Sequence, residues 1–112
     1  MRSVFAVSMV ALGLALSPAG AQNYPTQPIR IVVPFAPGGG NDVMARVMAE
    51  YLNQRTKWQF VVENRAGAGS AVGLEYTARQ KPDGYTLLWS PSDGMTILPA
   101  IKPTVTYKVP DE

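Results

Sequence analysis

The chain of 112 residues is 46% apolar and 16% charged, with a formal net charge of +2 and neither cysteine nor histidine. That is an ordinary globular composition with room for one compact domain, and it excludes disulfides, thiolate and imidazole chemistry and the usual zinc ligand sets. The basic residues from Arg30 to Lys108 are dispersed among acids rather than gathered into the dense face that a phosphate backbone demands, so no nucleic-acid partner is expected.

Met1-Arg2-Ser3 supplies a positive start, Val4 to Leu16 is apolar but for Ser8 and Gly13, and Ser17-Pro18-Ala19-Gly20-Ala21 ends in a small-x-small pattern. These three parts read as a secretory leader over residues 1–21, cleaved after Ala21. The apolar run falls short of the roughly 20 residues that cross a bilayer, which argues against a retained anchor. The remainder, 22–112, is close to neutral once Arg2 is removed.

Ile29-Arg30-Ile31-Val32-Val33, bounded by Pro34, is a β-branched run that predicts a strand buried on both faces, as in a parallel sheet. From Asn41 to Arg55, Met44, Val47, Met48, Tyr51 and Leu52 recur at three- and four-residue steps and predict an amphipathic helix, with Asn41 as its N-cap and Asp42 in its first turn. Trp58 to Val62 reads as a second strand, and a weaker helical pattern follows Gly67-Ala68-Gly69-Ser70 to about Gln80. Pro82-Asp83-Gly84 is a turn, Tyr85 to Trp89 a third strand, and Ser90-Pro91-Ser92-Asp93-Gly94 a polar loop. Tyr24, Trp58, Tyr85 and Trp89, at strands and their borders, read as core.

The order β-α-β-α-β implies right-handed crossovers and a parallel α/β sheet, whose ligands sit outside the carboxyl ends of the strands. Three loops meet that description: Pro34 to Asn41, Asn64 to Ser70 and Ser90 to Gly94. Three strands leave two open edges, which natural sheets pair or cover, so the lobe reads as unfinished.

In the first loop, Gly38, Gly39 and Gly40 carry no Cβ and lead into a helix whose first amides lack intrahelical partners. Together with the helix dipole this is an anion site, and a carboxylate is the expected ligand. Phe35 stands beside the glycines where it walls a pocket. A nucleotide-hydrolase loop would end in Gly-Lys-Ser/Thr, whereas here Asn41-Asp42 follows. A dinucleotide fingerprint in Gly67 to Gly73 is one residue too long, and Trp89-Ser90 stands where the ribose-binding acid belongs. Asp42 and Asp93 read as a helix-start charge and a turn residue rather than an acid/base pair. Arg65 has two readings, an anion contact from the second loop or a solvated surface charge.

Three motifs in order, Tyr24-Pro25-x-x-Pro28-Ile29-Arg30-Ile31-Val32-Val33-Pro34-Phe35-x-Pro37-Gly38-Gly39-Gly40-x-Asp42, Val62-Glu63-Asn64-Arg65-x-Gly67-Ala68-Gly69 and Pro82-Asp83-Gly84-Tyr85-Thr86-Leu87-Leu88, closely resemble the receptors of tripartite tricarboxylate transporters, the Bug family. The resemblance implies a periplasmic binding protein of two α/β lobes, a Venus flytrap, of which this chain is the β-α-β-α-β start of lobe 1. It implies a receptor and not an enzyme, without cofactor or metal, that closes on a small organic acid and delivers it to a membrane permease. Carried over by position, the ligand-binding residues are Phe35, Gly38, Gly39, Gly40, Asn41 and Asp42, then Ala68, Gly69 and Ser70, with Ser90 and Ser92 from the third loop.

That third loop departs from the family pattern, because Pro91-Ser92-Asp93 adds a proline and a negative charge where small or hydroxyl residues are usual. If it faces the cleft, Asp93 would repel a dicarboxylate and favour a ligand bearing an amine or amide. Family members run to about three times this length, in line with two domains of typical size. The expectation is therefore an N-terminal fragment or truncated frame with half a site, weak affinity and a tendency to aggregate. The competing readings are a nucleotide-dependent enzyme domain and an inactive exported fragment.

Overall fold

A computed structural model describes residues 23–108; the expected leader at 1–21 and its cleavage point lie outside the described residues. Six elements follow one another: β1 (Ile29–Val33), α1 (Gly40–Arg55), β2 (Phe60–Asn64), α2 (Ala71–Ala78), β3 (Thr86–Leu88) and α3 (Ser92–Ile101). The strands form one parallel sheet in the order β2-β1-β3, with Ile29 opposite Phe60, Val33 opposite Asn64 and Arg30 opposite Thr86. The parallel α/β start expected from the sequence is thus present.

β1 occupies the centre, and its run of branched residues is buried on both faces as expected: Ile29, Ile31, Val32 and Val33 are each at most 4% exposed. Alternation along the strand divides the packing. Ile29, Ile31 and Val33 meet Ala45 and Ala49 of α1 and Phe60 of β2 in one cluster. On the other face Pro34 lies against Gly73 of α2, and Leu88 joins a second cluster of Ala71, Leu74, Leu98 and Tyr107. Each helix layer covers one face of the sheet, and burial of these aliphatic side chains stabilises by about 1.5–3 kcal/mol apiece before conformational entropy is subtracted.

Five expectations need correction. α1 begins at Gly40 with Gly39 as its N-cap, not at Asn41, and no side chain caps it. Its inner line is Asp42, Ala45 and Ala49, whereas Met44, Val47, Met48 and Tyr51 are exposed at 59, 62, 39 and 51%. Both lines obey helical spacing and are separated by about 130° round the helix, so periodicity alone does not say which faces the sheet. The alanines face it because their small side chains let the helix lie close to β1.

β2 starts two residues later than Trp58. The Asn53 side chain fixes that start, accepting from the Phe60 amide at 2.7 Å and donating to the Phe60 carbonyl at 3.2 Å. Trp58 and Tyr24 are accordingly rim residues, 43 and 42% exposed, stacked edge to face with ring centres 5.7 Å apart. Finally, the expected polar loop Ser90 to Gly94 is a loop only up to Pro91, and from Ser92 the chain turns into a helix. This is α3, which contains Pro99 in its last turn. Leu98 and Met95 enter the second cluster, and that burial outweighs the missing amide of Pro99.

Candidate functional site

The strand order reverses direction at β1: the chain steps from β1 outward to β2, then crosses back over β1 to reach β3. The loops after β1 and β3 therefore diverge, and the crevice between them at the carboxyl edge is where an open α/β sheet receives a ligand. A cleft of about 260 Å³ opens there, lined by Phe35 after β1, Gly69 and Ser70 before α2, and Asp93, Gly94, Ile97, Leu98 and Ile101 of α3. Of the residues expected from the sequence, the structure brings Phe35, Gly69 and Ser70 into this wall. Gly38, Gly39, Gly40, Asn41, Ala68, Ser90 and Ser92 stand on the same edge without lining that cleft.

The first loop is held by its side chains. Asp42, 2% exposed, accepts from the Gly38 amide at 2.9 Å, from Arg46 Nε at 3.0 and 3.1 Å and from Asn64 Nδ2 at 2.8 Å. Asn64 also donates to the Phe35 carbonyl at 3.1 Å and accepts from Arg46 Nη2 at 3.0 Å. The Arg46 guanidinium, then the Gly38 amide and Asn64, hold the Asp42 carboxyl well below the usual range, at about 2, against the opposing effect of burial. Asp42 is therefore more than a helix-start charge: its oxygens are engaged in shaping the glycine loop. The first-turn amides of Gly40, Asn41 and Asp42 have no intrahelical acceptor by helix geometry, and the first intrahelical bond runs from Val43 to Gly39 at 3.0 Å.

The second loop is held by backbone shape. Gly67, Ala68, Gly69 and Ser70 all have positive φ, at 138, 48, 64 and 77°. Two of these are not glycine, and an L-residue in that region is strained by about 1–2 kcal/mol. Ser70 is 5% exposed and makes no side-chain cap to α2. Behind it, a Cβ on Gly73 would lie 2.6 Å from Pro34 Cβ, 2.7 Å from Pro34 Cα and 2.8 Å from the Arg65 carbonyl. Only glycine lets α2 approach the end of β1 so closely.

The third wall is α3. A Cβ on Gly94 would stand 2.7 Å from Ser70 Oγ and 2.9 Å from Leu74 Cδ1, while the buried Tyr107 hydroxyl donates to the Gly94 carbonyl at 2.5 Å. Burial, with Glu75 nearby, pushes the Tyr107 hydroxyl above its ordinary pKa, so it remains a donor. Arg65 resolves toward the structural reading. It pairs with Glu63 through Nε at 2.7 Å, and its guanidinium lies 4.0 Å over the Tyr76 ring, outside the cleft wall.

Sequence reasoning did not single out Arg46, Asn64, Gly73, Gly94 or the apolar edge of α3. The Asp42-x-x-x-Arg46 spacing, one helical turn apart, was the available signal for the brace. Among the described residues no group of three acidic side chains is placed to hold a metal ion, and no helix is long and apolar enough to cross a membrane.

Comparison with known proteins agrees with this architecture. The chain is 43% identical to Protein BugT of Bordetella pertussis over 108 residues, 96% of this chain and 33% of BugT. It thus spans about a third of the length of the curated relatives it matches. A periplasmic transporter of known structure superposes with a TM-score of 0.71 at 43% identity, over 76% of this chain and 29% of that one. MatC of Rhodopseudomonas palustris, solved with bound malate, superposes with a TM-score of 0.70 at 29% identity over the same shares. Residues 44–112 match the family model described as "Tripartite tricarboxylate transporter family receptor". With the family model, the sequence identity and the superposed fold in agreement, the chain belongs to the tripartite tricarboxylate transporter receptor family, a family of solute-binding receptors rather than enzymes.

Proposed function

We propose that the chain forms the start of the first lobe of a periplasmic receptor that binds a small organic carboxylate and delivers it to the permease of a tripartite tricarboxylate transporter, after export and cleavage behind Ala21. The observation that carries this reading is the cleft at the β1/β3 switch point, rimmed by Phe35, Gly69 and Ser70. Helices α1 and α2 begin on the same edge, and the free first-turn amides of α1 with the dipoles of both favour an anion, the Ala71 and Val72 amides of α2 being turned to the Ala68 and Gly67 carbonyls. In this reading Gly39, Gly40 and Asn41 present backbone amides to the ligand, Gly38, whose own amide is taken by Asp42, leaves the approach free of a side chain, and Ala68, Ser90 and Ser92 stand on the rim. Asp42 acts through Gly38, setting the loop's shape rather than touching the acid. The malate in MatC, a relative of the same fold, is a ligand of the class proposed.

Calorimetric titration of the gene-encoded protein with citrate, glutarate, nicotinate and amino acids tests it, with one strong binder and no turnover expected. Silence across that acid panel refutes the receptor reading. Gly39→Val tests the loop assignment cleanly, since a Cβ there would meet only the Ala36 carbonyl at 3.7 Å, an ordinary contact. The variant folds and loses binding; unchanged affinity removes the loop from the site. N-terminal sequencing of the periplasmic protein is expected to begin at Gln22.

A further inference from the structure

We propose that Asp93 makes the cleft selective for carboxylates that also carry a protonated amine, so that an amino acid is held in preference to the plain dicarboxylate of the same length. The inference rests on the receptor reading above and names its ligand class.

Asp93 is the one charged side chain lining the cleft among the described residues; the rest of the wall is glycine, serine, phenylalanine and aliphatic. Its Oδ1 accepts from the Gly94 amide at 2.8 Å, and its Oδ2 meets no donor among the described residues. That leaves one carboxylate oxygen open to a ligand. The side chain is also held in place, because Gly94 is buried between Ser70 and Leu74 on one side and the Tyr107 hydroxyl on the other. Among the described residues no lysine or arginine shares the wall. Arg46 is engaged with Asp42, and Arg65 with Glu63.

This arrangement gives the cleft a polarity. At the start of α3 the negative charge of Asp93 offsets the positive helix end, so that corner ceases to favour an anion. The starts of α1 and α2 keep their character, since Asp42 is neutralised by Arg46 and α2 has no acid in its first turn. A ligand carboxylate is drawn toward those two helix starts and a ligand ammonium toward Asp93. Asp93 is exposed at the mouth of the cleft beside Ile97, Leu98 and Ile101, so both the attraction and the repulsion are those of a partly screened pair. A second ligand carboxylate placed at Asp93 meets a like charge with no cation in the cleft wall among the described residues to relieve it.

The test is calorimetric titration of the gene-encoded protein with two matched pairs, succinate against aspartate and glutarate against glutamate, repeated on Asp93→Asn and Asp93→Ser. Both variants remove the charge and keep a side-chain acceptor for the Gly94 amide, so loss of charge is separated from loss of the helix start. The native protein is expected to bind an amino member about three- to fivefold more tightly than its plain partner, the effect of one exposed charge pair. Both variants are expected to erase or invert that ratio. Equal or tighter binding of the plain diacids by the native protein overturns the assignment of Asp93 and leaves the receptor reading standing. So do variants that weaken both members of a pair equally. Silence toward all four acids, and toward the wider panel, overturns both.

Discussion

In the loop after β1, the Gly38 amide is fixed by an Asp42 carboxylate that Arg46 and Asn64 hold in turn; in the loop after β2, four residues at positive φ and Gly73 against Pro34 do the fixing with scarcely a polar side chain. The first device depends on charge and hydrogen bonding, so it responds to pH and fails when one member leaves its partners unsatisfied. The second depends on excluded volume and backbone conformation, so it is indifferent to pH and fails when a single carbon is added. One cleft is thus rimmed by two loops with different vulnerabilities.

The sharpest way to break the second loop is Gly73→Ala. The added carbon meets the backbone of Pro34 and Arg65, which cannot rotate away, and overpacking of this kind costs about 3 kcal/mol at the upper end of its usual range. Urea denaturation is expected to show that loss, and an unchanged midpoint would mean that α2 moves aside freely. Asn64→Ala attacks the first loop. It removes both donors to Phe35 and Asp42, and an expected loss of about 2 kcal/mol follows from leaving those acceptors inside the brace unpaired. A double-mutant cycle with Asp42→Asn should show non-additivity, whereas the same cycle with Gly73→Ala should be closer to additive.

Acid separates the loops further. Because the folded-state pKa of Asp42 is depressed to about 2, its contribution is complete above the ordinary carboxylate pKa near 4 and is lost as pH falls through about 2. Thermal melts over that window should converge for the native protein and Asp42→Asn, and parallel curves would contradict the brace. The smallest expected effect is Ala68→Gly, which relieves a left-handed alanine at φ 48° on an exposed loop. Stability should rise by up to about 1 kcal/mol, the strain relief less the greater freedom of glycine when unfolded.

The same contrast explains what was legible in the sequence. β1 announced itself because a continuous branched run needs burial on both faces, and α2 followed its glycine-rich start. The α1 helix was legible as an element but not as a face, since its exposed apolar line and its buried alanine line share one period. α3 was hidden because Pro91-Ser92-Asp93-Gly94 carries turn chemistry and Pro99 reads as a breaker, while the burial of Leu98 and Met95 that supports the helix is a tertiary fact. Phe35, Gly69 and Ser70 were legible as rim residues from their place after strands. The brace was not, because Asn64 lies 22 residues from Asp42 and nothing local signals their meeting.

The β2-β1-β3 order also sets a timetable for assembly. Central β1 pairs with residues 31 positions ahead on one side and 56 ahead on the other, Ile29 with Phe60 and Arg30 with Thr86. Neither edge has a neighbour nearby in the chain, so both loop closures must be made before the sheet rewards them, and such topologies fold slowly. At ribosomal speeds the interval between making Val33 and making Leu88 is roughly 3–10 s. Throughout it the most hydrophobic strand of the sheet has at most one partner, which makes the nascent chain a client for whatever holds unfolded polypeptides in the cell.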